Sequence, residues 1–276
     1  MTRRILAVAR TELRLGIRNQ WVVLAALTLM AFALVLGLFG AAATGEVRAG
    51  RMVVTAASLA TLSVYLVPLI ALLLSFDAIA GEVDRNTLPL LLATPISRAG
   101  VVLGKFFGQL CVVALAIVVG YGIAGAVIIA LSGGELADGL LLARLIAMSI
   151  GLGAAFLAIG YIVSALAGQT GTAAALAVGV WLGAVVLYDL ALLGILVADH
   201  GGGFATTAFP YLLIANPADA FRLFTLSSID LGSAATGFAG VADGLPFPPQ
   251  IALATLAGWI VIALAAAVAV FKRIEP

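Results

Sequence analysis

Charged residues are scarce in this 276-residue chain, where Asp, Glu, Lys and Arg together make up only 10% of the sequence. Soluble domains carry about a quarter charged residues. Hydrophobic residues make up 64% and the mean hydropathy is +1.24, so most of the chain requires a lipid environment. These values exclude a soluble enzyme, a nucleic-acid-binding protein and a disordered chain.

Cysteine and histidine are nearly absent as well. A single cysteine, Cys111, excludes an internal disulfide framework. The single histidine, His200, is interpreted as a solvated residue beyond the fifth predicted span, with a ligand or acid–base role as the alternative. Because copper passage favours Cys, Met or His ligands, this composition disfavours direct copper conduction.

Long apolar stretches divide the chain into predicted membrane spans. A helix needs roughly 20 residues to cross about 30 Å of hydrocarbon. Six stretches meet this length: residues 21–43, 53–76, 106–131, 140–166, 173–197 and 251–271. We therefore predict an all-α membrane protein with a single transmembrane domain, residues 1–276, and with both termini on one side. Most Lys and Arg residues fall on that side, which predicts cytoplasmic termini.

Residues 1–20 are predicted to form an amphipathic helix on the membrane surface. One side of this helix carries Arg3, Arg10, Arg14 and Arg18, and another carries Leu6, Leu13 and Ile17. Arginines at i, i+4 spacing repel one another, so they fit best beside anionic headgroups of the cytoplasmic leaflet. The alternatives are a basic flank that only sets topology and a removable signal peptide, which the length of the apolar run disfavours.

The most informative stretch, residues 77–105, lies between the second and third predicted spans. Its charged residues predict a water-facing turn, and the apolar residues 88–93 that follow are too short to cross the membrane. Thr94-Pro95 then begins a new segment, because the residue before a proline is restricted. The charged residues are Asp77, Glu82, Asp84 and Arg85. A short amphipathic helix against the cytoplasmic face fits this pattern.

A specific motif runs through this stretch: a Gly-Glu pair, a basic residue, Thr-Leu, a leucine run, a Thr-Pro-Ile-Ser turn and a lysine. It falls on Gly81, Glu82, Arg85, Thr87, Leu88, Leu90 to Leu92, Thr94 to Ser97 and Lys105. The motif resembles the segment between the second and third spans of ABC-2 type transport permeases. Asn216-Pro217 and Phe221-Arg222 before the last span agree with that resemblance.

The resemblance implies a coupling helix that sits in a groove of a separate ATP-hydrolysing subunit and passes its closure to the spans. By this resemblance the ATPase-coupling site comprises Gly81, Glu82, Asp84, Arg85, Thr87 and Leu88. The polar contacts would be Glu82, Asp84 and Arg85, and residues 88–92 would form the face buried against the ATPase. The alternative is that these charges only solvate a turn and set topology.

Within the family, the length and the order of segments are most similar to the permease of the nitrous oxide reductase maturation transporter. This similarity implies a homodimer in the bacterial inner membrane with two copies of a NosF-like ABC ATPase. It also implies a NosD-like periplasmic partner. The implied task is to supply a sulfur species for the copper-sulfide centre of the reductase.

Two glycine-rich stretches superficially match phosphate-binding loops. Gly120 to Gly125 fits G-x-G-x-x-G but lies inside a predicted span, where no strand precedes it. Gly100 to Lys105 is one residue short and lacks the Ser or Thr that would follow the lysine. We therefore predict no nucleotide site, no cofactor and no enzymatic activity in this chain, and assign ATP and Mg²⁺ to the partner ATPase.

One carboxylate lies well inside a predicted span. Asp189 is about 12 Å from the outer end of span five at 1.5 Å per residue, and Arg144 enters span four from the same side. Because an arginine can snorkel, we predict a structural pair between Arg144 and Asp189, with a cargo or proton site as the alternative.

The segment between spans five and six, residues 199–250, is predicted to fold back as short interfacial helices outside the cytoplasm. In ABC-2 permeases this region forms an outer gate, and residues 232–244 are a candidate docking surface for a periplasmic partner. Glycines at four-residue spacing also predict close packing between helices. They are Gly104 with Gly108 and Gly179 with Gly183.

Two functions from other classes stay open. A carrier driven by an ion gradient, with Asp189 as its proton or ion site, predicts inverted repeats, which the sequence does not show. A membrane-anchored assembly factor without transport needs the same partner contacts as a permease, so the sequence cannot separate the two.

Overall fold

The computed structural model describes residues 2–43, 51–93, 96–133, 136–199, 202–227, 246–248 and 250–274. The expectations that concern Thr94-Pro95, His200 and residues 232–244 lie outside these ranges and stay predictions. Within the described ranges the chain is helical, without a strand.

The helices follow one another with short connections. They are α1 Thr2–Ile17, α2 Gln20–Ala43, α3 Arg51–Ser75, α4 Asp77–Asp84, α5 Leu88–Ala93, α6 Arg98–Ser132, α7 Leu136–Ala167, α8 Thr170–Trp181, α9 Tyr188–Ala198, α10 Phe204–Thr207, α11 Phe209–Ala215, α12 Pro217–Ser227 and α13 Ile251–Phe271. A π-helical turn, Leu182–Leu187, joins α8 to α9 into one long helix.

Six helical stretches of the described chain are long and apolar enough to cross a membrane. They are α2, α3 with its continuation α4, α6, α7, the joined α8 and α9, and α13. The prediction of an all-α protein with six spans and a short N-terminal helix is confirmed. The main difference is that α6 begins at Arg98, capped by Ser97, and not at residue 106. Counting apolar residues misses this start, because a helix continues beyond the hydrocarbon on polar residues.

Helix α7 occupies the centre of the bundle. It packs against α3, α6, α8 and α13, and its residues from Leu152 to Ala158 are all buried. Small side chains let the neighbouring backbones approach closely, as is usual between helices in lipid. At Gly160, for example, a Cβ atom would overlap the hydroxyl of Ser75 on α3.

Helix α1 packs along α6 on a face that the sequence analysis did not identify. A Cβ at Gly104 would lie 2.7 Å from Cβ of Val8, and one at Gly108 would lie 2.6 Å from the carbonyl oxygen of Ala9. The packing predicted for Gly104 and Gly108 is therefore confirmed, with α1 as the partner. The arginine side of α1 and Leu6 stay exposed, because the packed face lies between the arginine and leucine sides.

The packing predicted for Gly179 and Gly183 is wrong within the chain. A Cβ added at either position would meet no described atom within 4 Å. The physical reason is position, since α8 and the π-helical turn lie at the edge of the bundle with most side chains exposed.

Replacing Gly108 by alanine tests the contact between α1 and α6. The new methyl group would strike the backbone of α1, which cannot rotate away, so we expect a destabilisation of about 1–3 kcal/mol. The measurement is the thermal unfolding midpoint of the purified protein in detergent. Gly122→Ala is the matched control, because this α6 glycine faces open space and alanine favours the helix by about 1 kcal/mol. Equal losses in both variants would contradict the packing argument.

Candidate functional site at the hairpin

Residues 77–93, which we call the hairpin, comprise α4, a tight turn and α5. The hairpin lies at the end of the bundle that also carries α1, the start of α6 and the end of α13. Arg98 shows this proximity, because its Nη1 lies 2.6 Å from the carbonyl oxygens of both Phe271 and Ile274. An arginine at these carbonyls satisfies the end of α13 and complements its dipole.

The first turn of α4 is held by a side chain of α7. The hydroxyl oxygen of Ser164 accepts hydrogen bonds from the backbone N–H groups of Ile79 and Ala80, both at 2.9 Å. Ser164 is buried, so water cannot replace it. The hairpin is thereby fixed to the central helix of the bundle.

The last turn of α4 ends in a Schellman motif. The backbone N–H of Thr87 donates to the carbonyl of Glu82 at 2.9 Å, and that of Asn86 donates to Val83 at 3.0 Å. Asn86 has a φ of 54°, a left-handed conformation that asparagine tolerates better than most residues. This turn reverses the chain and starts α5.

An ionic cluster joins three helices beneath the hairpin. Nζ of Lys105 on α6 lies 2.9 Å from Oε1 of Glu12 on α1 and 2.9 Å from Oε1 of Glu82 on α4. The side chain of Lys105 is only 9% exposed. Thr87 donates its hydroxyl to the other carboxylate oxygen of Glu82. We call Glu12, Lys105 and Glu82 the lysine cluster.

Sequence reasoning included Glu82 and Lys105 in the motif but missed Glu12. A signal was present, because Glu12 is the only acidic residue of a helix that carries several arginines. A lone carboxylate on such a helix indicates a specific cationic partner, which here is the buried lysine.

The six residues of the predicted coupling site face in different directions. Gly81 and Leu88 are buried, and Glu82 and Thr87 are bonded to each other, so these four serve mainly internal contacts. The expectation that Leu88 faces a partner is wrong, because it is 3% exposed and belongs to the main buried core. Leu90, two residues further on α5, is 74% exposed instead.

Asp84 and Arg85 are the exposed members of the set. Oδ2 of Asp84 accepts hydrogen bonds from the hydroxyl and the backbone N–H of Thr170, which ties the hairpin to the start of α8. Arg85 forms an ion pair of 3.3 Å with Asp77 across Gly81. A Cβ at Gly81 would overlap this pair, which explains the glycine at that position.

The opposite end of the bundle corrects a second expectation. Asp189 on α9 pairs with Arg222 at 2.9 Å, whereas the guanidinium of Arg144 lies 4.9 Å from the ring centroid of Phe224. The predicted pair between Arg144 and Asp189 is therefore wrong. Arg222 reaches Asp189 because α12 folds back into the bundle as a buried helix, and not along the interface. Arg222 also pairs with Asp219 at 3.2 Å.

Asn216 attaches α12 to the π-helical turn of the fifth span. Its side-chain oxygen accepts from the N–H of Ala218 at 3.0 Å, which caps α12 ahead of Pro217. Its Nδ2 donates to the carbonyl of Ala184 at 2.6 Å and to Asp219 at 3.0 Å. A π-helical turn shifts the backbone hydrogen-bond pattern, so a carbonyl within it can take an outside partner.

Comparison with known proteins places this architecture. A family model described as "ABC-2 family transporter protein" matches residues 6–275. The chain belongs to the ABC-2 transporter family. It is also similar to two proteins described as probable ABC transporter permease protein NosY. The one from Stutzerimonas stutzeri is 39% identical over 270 residues, covering 96% of this chain and 97% of the relative. The one from Pseudomonas aeruginosa is 41% identical over 269 residues, with the same coverage.

As a member of the ABC-2 family, the chain is a multi-pass transmembrane subunit of an ABC transporter. The resemblance inferred from the hairpin motif is confirmed, including the similarity to NosY. In this ABC-2 permease, that motif supplies the inner contacts of the hairpin as well as its exposed surface.

Replacing Lys105 by methionine would leave the carboxylates of Glu12 and Glu82 facing each other without a cation. Breaking a buried ion pair from one side costs about 3 kcal/mol, so we expect a clear loss of stability. The measurement is the thermal unfolding midpoint in detergent. Adding Glu12→Gln and Glu82→Gln to the same protein should recover much of the loss, because the unpaired charges are then removed. No recovery would mean that Lys105 acts through packing alone.

Proposed function

We propose that this chain is the permease of an ATP-driven exporter and that a separate ABC ATPase binds to the hairpin. The observation that carries the proposal is the two-sided construction of the hairpin. Its outer surface exposes Asp84, Arg85 and Leu90, and its inner surface is bonded to the bundle. Membership in the ABC-2 family supports an ATPase partner and a second copy of the permease.

The inner bonds give the hairpin a way to pass force to the spans. Ser164 links α4 to α7, Asp84 links it to α8, and Lys105 links it to both α6 and α1. A push on the outer surface would therefore displace several helices together. A hairpin without these bonds would bend at its own turns and transmit little.

The proposed coupling site divides by role. Asp84, Arg85 and Leu90 would contact the ATPase, and the guanidinium of Arg85 suits carboxylates on its surface. Gly81, Glu82, Thr87 and Leu88 would keep the outer surface in place. ATP and Mg²⁺ would bind in the ATPase, since the sequence of this chain contains no phosphate-binding loop in the required context.

The proposed orientation places the hairpin and both termini in the cytoplasm of a bacterial cell, with the permease in the inner membrane. The distribution of arginine supports it, because Arg3, Arg10 and Arg14 are exposed on α1 at the hairpin end. These arginines would lie beside anionic headgroups of the inner leaflet.

The proposed cargo is a sulfur species for the copper-sulfide centre of nitrous oxide reductase. The similarity to proteins described as NosY supports this assignment, together with a sequence poor in the soft ligands that copper needs. The partners would then be a NosF-like ATPase and a NosD-like periplasmic protein.

Purification of tagged permease in mild detergent, followed by mass spectrometry, tests the docking surface. We expect a NosF-like ATPase to co-elute with wild type and to be lost, by tenfold or more, from Leu90→Asp and from Arg85→Glu. Both side chains are exposed, so the unfolding midpoint should not change. Leu136→Asp is the control, since Leu136 is 84% exposed on the first turn of α7, away from the hairpin. Retention of the ATPase by both hairpin variants would refute the docking site.

A strain that lacks the permease tests the cargo. We expect its nitrous oxide reductase to be produced as polypeptide but to lack the sulfide of its copper centre. Wild-type permease should restore the sulfide, whereas the Leu90→Asp variant should not. A reductase with its full sulfide content in the deletion strain would rule out this cargo and leave the docking proposal intact.

A further inference from the structure

The proposed coupling at the hairpin leaves unexplained an ionic cluster at the opposite end. Asp189 and Asp219 share one guanidinium, with Arg222 Nη2 2.9 Å from Asp189 and Nη1 3.2 Å from Asp219. We call these three residues the aspartate cluster. It joins the fifth span to α12, and the sequence analysis did not single out Asp219.

The aspartate cluster is buried in apolar surroundings. The side chain of Asp219 is 0% exposed and that of Arg222 is 4% exposed, whereas Asp189 is 20% exposed. The buried residues packed nearby are Leu192, Phe209, Leu213, Ile214, Leu223 and Phe224. With both carboxylates ionised, one excess negative charge would stay in this environment, and burying an uncompensated charge is strongly unfavourable.

We propose that Asp189 and Asp219 form a proton-binding site that holds one exchangeable proton between the two carboxyl groups. The proton comes from water, forms an O–H bond with a carboxylate and leaves the cluster with no net charge. No other reactant is needed. The two carboxyl groups lie within hydrogen-bonding reach of each other, so the proton on one can be donated to the other.

The surroundings assign the two carboxyl groups different roles. Burial, followed by the nearby charge of Asp189, raises the pKa of Asp219 to about 8, although Arg222 opposes the shift. Asp219 therefore carries the proton near neutral pH. Asp189 is the partly exposed member, so it provides the path between the buried carboxyl group and the exterior.

Other ionisable groups on the neighbouring elements do not neutralise this site. Tyr188 on α9 donates its hydroxyl to the carbonyl of Leu212 at 2.6 Å. Tyr211 on α11 lies against the ring of Phe247, and Arg144 on α7 is exposed over Phe224. On α3 and α13 the described side chains that pack near α12 are uncharged.

Loss of the proton would act on the fifth span. Two ionised carboxylates repel each other, so α9 and α12 would separate or Arg222 would have to move. Asn216 bonds both to Asp219 and to the π-helical turn, and this bond connects the state of the cluster to the span. The proton-binding site is thus placed to change the outer half of the permease, independently of the hairpin.

Asp219→Asn tests the site, because asparagine has the shape and hydrogen-bonding ability of the protonated acid. The unfolded chain loses this proton near pH 4, whereas the folded protein keeps it to about pH 8. Stability is therefore highest at low pH and falls as pH rises across that interval, and the unfolding constant increases up to about tenfold per pH unit. Relative to wild type, the variant should lose this dependence. The measurement is the unfolding midpoint in detergent from about pH 5 to about pH 9.

Asp199→Asn is the matched control, because Asp199 is an acid at the same end of α9 but outside the cluster. It should keep the wild-type pH dependence. Infrared difference spectra of wild type give a second readout that does not require a folded variant. We expect a protonated carboxyl C=O band that disappears as pH rises through about 8. A wild-type protein without this band, or a pH dependence that Asp219→Asn leaves unchanged, would overturn the proposal.

Discussion

The lysine cluster is the interaction on which the hairpin end depends. Lipid is as apolar as the side chains of the spans, so burial alone does not decide which helices stay together. An ammonium group 2.9 Å from carboxylates on two other helices does decide it, because separating them would leave charges unpaired in a poorly solvated place. Helix α1, the hairpin and α6 thereby behave as one body, and the motif residues around Lys105 gain a structural reason.

The sequence predicted the parts of this fold that depend on one helix at a time. Span number and helix type follow from apolar length, and they hold because each span satisfies its own backbone hydrogen bonds. Pairing between helices was harder to predict. Arg144 was the nearest arginine to Asp189 by counting along predicted spans, but Arg222 reaches it because α12 turns back into the bundle. No periodicity in the sequence indicates that reversal.

The same limit explains the hairpin. Its motif was recognisable, and the turn at Asn86 agrees with the expected break between two short helices. Which side of the hairpin faces inward depends on Ser164, Thr170 and Glu12, all distant in sequence. For this reason Leu88 was expected on the outer surface, where the structure places Leu90.

The two ionic clusters have the same composition, two carboxylates and one cation, but their surroundings lead to different behaviour. In the lysine cluster both carboxylates are partly exposed, and Glu82 also accepts a hydroxyl hydrogen bond from Thr87. Water and Thr87 can therefore support the excess negative charge, so the cluster can stay ionised as a permanent brace. In the aspartate cluster Asp219 has no exposure, so a proton must take the place of solvent. Burial, and not the choice of residues, thus separates a brace from a site that exchanges protons.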